Sequence, residues 1–174
     1  MRSTRFISSL VIGLAMAGAA GLAVAQAPAP APAAAPAVPQ YGASINLEQA
    51  RRAITGALAE ARRIGVPMAI AVVDTAGNLV AFDKMDNTQT ASVAVAQDKA
   101  VSSAIYRRPT KAFQDGLAAG GNGLRILTLR GASAVEGGIP LSEGGRIIGA
   151  IGVSGGSAEQ DGVVAAGGVA AMAR

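Results

Sequence analysis

Apolar residues recur every three or four positions at Leu47, Ala50, Ile54, Ala57, Leu58, Ala61 and Ile64, with Arg51, Arg52, Glu60, Arg62 and Arg63 between them. That period predicts an amphipathic helix. Asn46 is placed to cap its start, and Gly65, with Pro67 close behind, ends it. The pattern then changes to continuous apolar runs, Met68 to Val73 and Leu79 to Phe82, on either side of the turn-forming Asp74 to Asn78. This reads as a hairpin buried on at least one face. From Thr90 to Tyr106 the helical period returns in an alanine-rich form, with Ala91, Ala94, Ala96, Ala100 and Ala104, whose small side chains allow close approach of another layer. Pro109 disfavours helical geometry at Arg108 and ends this helix. Thr110 is read as the N-cap of a short helix through Lys111, Ala112 and Phe113. Gly116, Gly120, Gly121 and Gly123 follow as a mobile loop by composition, and Leu124 to Leu129 reads as a strand or an extended edge. Ile139 to Leu141 and Arg146 to Val153 form a second hairpin about Glu143 to Gly145, and Ser157 caps a last helix to Ala171. Short strands joined by tight turns, with helices between the hairpins, predict an α+β fold with an antiparallel sheet.

The first 45 residues have a different character. Arg2 and Arg5 precede an apolar run from Phe6 to Val24 that contains Ser8, Ser9, Gly13, Gly18 and Gly21 and ends in small residues before Gln26. Residues 1–25 are the expected cleaved secretory signal, which places the mature protein in the periplasm or outside the cell without a stable membrane span. Residues 26–45 are the expected linker, and the Ala/Pro alternation from Ala27 to Gln40 predicts an extended spacer. The domain is expected at residues 46–174, about 130 residues, enough for one core and too few for two.

Removing Arg2 and Arg5 leaves 13 basic residues against 11 acidic, so the net charge falls from +4 to +2. The remaining basic residues form scattered pairs and aromatics make up 3% of the chain, which argues against a nucleic-acid partner. The sequence has no Cys and no His. Disulfide staples and zinc or copper sites built on imidazole or thiolate are therefore excluded. Stability must come from packing, and self-association is an expected contributor.

Three motifs suggest chemistry and each has a simpler explanation. Gly152-Val-Ser154-Gly-Gly156 matches a hydrolase nucleophile elbow, but without histidine Ser154 lacks its usual base, and the glycines serve a sharp turn. The helix start at Ser157 to Glu159 offers amide groups to an anion, yet Glu159 and Asp161 occupy that place. Asp83, Asp86 and Asn87 supply oxygens for a hard cation and are equally a solvated turn. Asp74 and Asp161 are the carboxylates to test for acid–base work, although turn and cap roles account for both.

The stretch Gly137 to Asp161, GGIPLSEGGRIIGAIGVSGGSAEQD, together with Gly65 to Asp86 and the Arg-Pro-Thr at Arg108 to Thr110, resembles the GlcG/HbpS family of haem-binding proteins, also seen as the C-terminal domain of PduO-type proteins. The resemblance runs from Leu47 to Ala171. It implies a profilin-like sheet with helices on both sides, and haem or a related tetrapyrrole as ligand. Such a ligand needs an apolar slot, cations near its propionates and an iron ligand if coordination is strong. With histidine and cysteine absent, the remaining donors are Met68, read as a core residue of its strand, the lysines, Met85, Tyr106 and hydroxyls such as Ser133. Met85, Tyr106 and Ser133 are the site candidates, with Arg107, Arg108 and Arg130 as the cations. The segment Arg130 to Glu136 is expected to form part of the pocket, and no Glu-x-x-Glu pair occurs between Ala91 and Ala104. The resemblance implies an exported carrier, scavenger or accessory sensor, expected to be a homo-oligomer. The alternatives are a self-assembling interaction module, built on the alanine-rich helix and Val163 to Met172, and an accessory protein for a small metabolite, without haem.

Overall fold

The computed structural model describes residues 38–173. The signal reading and most of the spacer lie outside the described residues. In chain order the elements are α1 (Leu47–Ile64), β1 (Ala69–Asp74), β2 (Leu79–Lys84), α2 (Ser92–Tyr106), α3 (Lys111–Ala118), a 3-10 helix (Gly121–Thr128), β3 (Gly138–Glu143), β4 (Arg146–Ser154) and α4 (Ala158–Met172). The four strands form one sheet in the order β2-β1-β4-β3, and each neighbouring pair is antiparallel. Among the described residues no helix is long and apolar enough to cross a membrane.

Both faces of the sheet are covered, as a profilin-like arrangement requires. Alternate residues along a strand point to opposite faces, so β1 supplies two cores. Ile70 and Val72, with Met68, Ile151 and Val153, pack against Ala50, Ile54, Ala57 and Ala61 of α1 and Val164 and Ala165 of α4. Ala69, Ala71 and Val73, with Ala150, meet Ala96, Ala100 and Ala104 of α2 on the other face. The alanines of α2 thus bring its backbone down onto its own sheet. Ala100 is fully buried there and takes no part in an exposed self-association face.

Local chemistry sets the element ends. Asn46 and Gln49 form a reciprocal capping box on α1, Ser157 and Gln160 form another on α4, and Gly65 closes α1 in the left-handed conformation. In the first hairpin Asp74 accepts from the amides of Ala76 (2.8 Å) and Asn78 (2.9 Å) and from the Asn78 side chain (3.0 Å). Burial pushes the Asp74 carboxyl up, but these bonds outweigh it and hold the pKa below its ordinary value. Its stabilisation is therefore present above the unfolded carboxyl pKa and is lost as pH falls through the lowered folded value. Asp74→Ala is expected to cost about 1.5–3 kcal/mol, and urea unfolding across acid pH should show the difference from wild type shrinking as pH drops.

The structure corrects three expectations. Leu124 to Leu129 is neither strand nor edge but lies mostly within the 3-10 helix, because Gly120 (φ 66°) and Gly121 (φ 53°) turn the chain back onto α3 and Gly123 sits against the Gly116 carbonyl. Thr110 does not cap α3: it has helical dihedrals, and its hydroxyl accepts from the Gly138 amide at 2.9 Å, tying α3 to β3. Order also begins before Asn46. Gln40 and Gly42 bond Ile147, Ile45 bonds Ile148, and the Ile45 side chain is buried in the first core. The end of the linker thus runs along β4, beside the irregularity between Leu141 and Ser142 in β3.

Candidate functional site

The end of α2 gathers most of the cationic and aromatic groups singled out by sequence. Arg107, at φ 55°, is a left-handed cap that splits its neighbours to two sides. The Arg107 guanidinium lies over the Tyr41 ring at 5.3 Å and donates to the Pro39 carbonyl at 3.2 Å. Arg108 turns the other way, over the Phe113 ring at 5.4 Å, with its Nε donating to the Tyr106 carbonyl. Tyr106 meets Phe113 edge to face at 5.2 Å, and its hydroxyl donates to the Arg130 carbonyl at 2.7 Å. Tyr106, Arg108, Phe113 and Arg130 thus form one connected group, fixed by the short α3 and the segment that returns from the 3-10 helix.

Beside this group is a cleft of about 280 Å³ lined by Arg108, Phe113, Gly116, Arg125, Ile126 and Leu129. Phe113 is buried and forms an aromatic wall. Arg107, Arg108, Arg125 and Arg130 have no carboxylate partner among the described residues, and Arg108 and Arg125, which line the cleft, offer their guanidinium groups to an acidic ligand. Ser133 lies further along the same return segment. Its amide donates to the buried Ser102 hydroxyl at 3.0 Å, and it lines a second cavity, of about 370 Å³, with Asp98 and Val101.

Met85 is not brought to this group. Its amide donates to the Met68 carbonyl, its carbonyl accepts from the Thr88 hydroxyl ahead of α2, and it lines a groove of about 580 Å³ with Leu58, Arg62, Phe82, Asp83, Lys84 and Asp86. The 15 residues of α2 place its two ends about 21 Å apart. Within one chain, Met85 and Tyr106 therefore belong to different sites.

Residues 45–170 match the model of a family described as haem degrading protein HbpS-like. The chain belongs to the HbpS-like family. It is 32% identical over 110 residues to protein GlcG of Escherichia coli K12, an overlap covering 63% of this chain and 81% of GlcG. Among solved structures, a double mutant of Streptomyces reticuli HbpS superposes with a TM-score of 0.68 at 29% identity, over 82% of this chain and 97% of that one. A PduOC:heme complex superposes with a TM-score of 0.66 at 25% identity, over 74% and 94% of the two chains.

This HbpS-like chain also buries a charge pair of which sequence reading singled out only Asp161. Lys99, on the sheet side of α2, donates to Asp161 Oδ2 at 2.6 Å and to the Val153 carbonyl at 3.1 Å, and both side chains are almost completely buried. Asp161 Oδ1 accepts from the Gly156 amide at 3.0 Å. Asp161 is thus a core ion-pair member that joins α4 to α2, beyond the cap role its position suggests. Burial pushes its carboxyl above the ordinary value, against the lowering effect of Lys99 and the Gly156 amide. Lys99 was detectable in principle, as a lysine among Ala96, Ala100 and Ser103 on one helical face. Arg125, Ile126 and Leu129 were not, because the strand reading of Leu124 to Leu129 separated them from α3 and its Phe113. Ser154 is buried and shares a hydrogen bond with Ser92 at 3.1 Å, and Asp83 pairs with Arg51.

Proposed function

We propose that this protein is exported and binds haem or a related tetrapyrrole as a carrier, scavenger or accessory sensor. The observation that carries this reading is the cleft at the end of α2, where an aromatic and aliphatic wall, Phe113, Ile126 and Leu129, is bordered by Arg108 and Arg125, neither with a carboxylate partner among the described residues. A flat, apolar molecule with acidic arms matches that combination. The solved haem complex of a family neighbour supports the same ligand class. At about 280 Å³ the cleft lies near the lower end of ligand-pocket sizes, roughly 300–1,000 Å³. It would take one edge of the macrocycle and leave the rest over the exposed leucines of the 3-10 helix.

The donor set fits the macrocycle and its propionates better than it fits the iron. The sequence has no histidine or cysteine, the Tyr106 hydroxyl is donating to a carbonyl, and Met85 is at the far end of α2. Iron, when the macrocycle carries it, would bring redox and oxygen chemistry, and no residue placed at this cleft is set to direct it. Arg108 and Arg130 would pair with the propionates, Phe113 would stack, and Tyr106 would hold the return segment in place. Binding of this kind is modest in affinity and is lost to proteins that offer a histidine. Homo-oligomerisation and a periplasmic or extracellular location belong to the same proposal, with contacts between copies made elsewhere than the alanine face of α2.

Titration of the protein from Gln26 onward with haemin and with metal-free protoporphyrin tests this reading. Both should saturate at one fixed stoichiometry with similar affinity. Arg108→Ala should weaken both about tenfold or more, the size expected for a lost charge-assisted bond, and Met85→Ala should leave both unchanged. No saturable signal, or binding that needs the iron and disappears with Met85→Ala, would remove this site.

A further inference from the structure

The α3 and 3-10 segments form a lobe whose charged and apolar pattern extends beyond the cleft onto its outer surface. Leu124, Leu127 and Leu129 are 53%, 71% and 38% exposed, and Arg125 and Arg130 stand among them. Twenty residues, from Gly116 to Val135, contain no acid at all. The acids that bound this stretch, Asp115 and Glu136, both face Lys111, at 2.8 and 3.9 Å. Ile105 adds further exposed apolar surface near Arg107 and Arg108. Exposed leucines interleaved with arginines that have no carboxylate partner among the described residues match the headgroup and upper acyl region of an anionic bilayer.

We infer that this lobe docks the protein onto anionic phospholipid bilayers, with Leu124 and Leu127 entering the interface and Arg125 and Arg130 bound to lipid phosphates. The inference does not rest on the tetrapyrrole reading. The protein from Gln26 onward keeps the whole folded body and lacks the apolar run, so it is the form to test. It should sediment with vesicles of phosphatidylcholine mixed with phosphatidylglycerol, and not with phosphatidylcholine alone. Sedimentation should fall as salt shortens the range of the arginine charges. Arg125→Ala and Arg130→Ala should each weaken partitioning about fivefold, and Leu127→Ser should reduce it as well. Absence from anionic vesicles, equal binding to both vesicle types, or wild-type binding by Leu127→Ser would overturn the inference. So would a Leu127-dependent dimer in light scattering that fails to sediment, which would assign the patch to a second copy. A failed protoporphyrin titration with vesicle binding intact would count against the cleft alone.

Discussion

Lys99→Met is expected to destabilise the fold by about 3–5 kcal/mol, because it leaves the Asp161 carboxylate buried without its cation. The two side chains are 1% and 4% exposed, so water cannot replace the lost partner. The sign of the pH dependence follows from Asp161. Its folded pKa is already raised by burial, and removing Lys99 removes a lowering influence, so the variant's folded value rises further. A carboxyl raised above its unfolded value favours the folded state below the unfolded pKa, and that advantage is lost as pH rises through the folded pKa. The deficit of the variant should therefore be largest near neutral pH and should shrink in acid. Denaturant unfolding of both proteins at several pH values measures it. Lys99→Met combined with Asp161→Leu should recover most of the loss, since replacing both members of a buried pair by apolar groups is often neutral or better. A deficit that grew toward acid, or a double variant as weak as the single one, would show that the pair does not act as described.

Gly152→Ala should be nearly as damaging for a steric reason. A Cβ at Gly152 would fall under 3.0 Å from the Ala96 carbonyl oxygen, the Ala100 amide nitrogen and the Ala100 Cβ. Two of these are backbone atoms of α2, so no side-chain rotation relieves the clash, and the helix must move off the sheet. The expected cost is about 3 kcal/mol, at the upper end for overpacking. Tyr106, Arg107 and Arg108 are carried at the end of that helix, so protoporphyrin affinity should fall together with stability. Gly144→Ala is the control: its Cβ meets nothing within 4 Å, and only its positive φ of 56° is strained. Its effect should stay near 1 kcal/mol, with ligand affinity unchanged. Equal losses in the two variants, read by thermal unfolding and titration, would refute the close-approach account.

The sequence by itself determined the local elements and their faces. The three-and-four spacing of α1, the apolar runs of β1 and β4, and the caps Asn46, Gly65 and Ser157 are short-range signals, and each element formed where its own residues favoured it. The antiparallel sheet followed from hairpins too short for crossovers. The absence of histidine and cysteine excludes metal chemistry built on them. Tertiary structure decided what depends on residues far apart in sequence. Thr110 looked like a cap and became the acceptor for Gly138, 28 residues on. Asp161 looked like a cap and became the partner of Lys99, 62 residues away, because the low-dielectric interior holds a charge only beside its opposite. Leu124 to Leu129 had strand composition, but no sheet edge took it up, and left-handed glycines closed it onto α3 as a 3-10 helix instead. That closure brought Arg125, Ile126 and Leu129 to Phe113 and Arg108 and made the cleft. Met85 and Tyr106 stay apart for a separate reason, since the length of α2 keeps its ends apart whatever chemistry the two residues share.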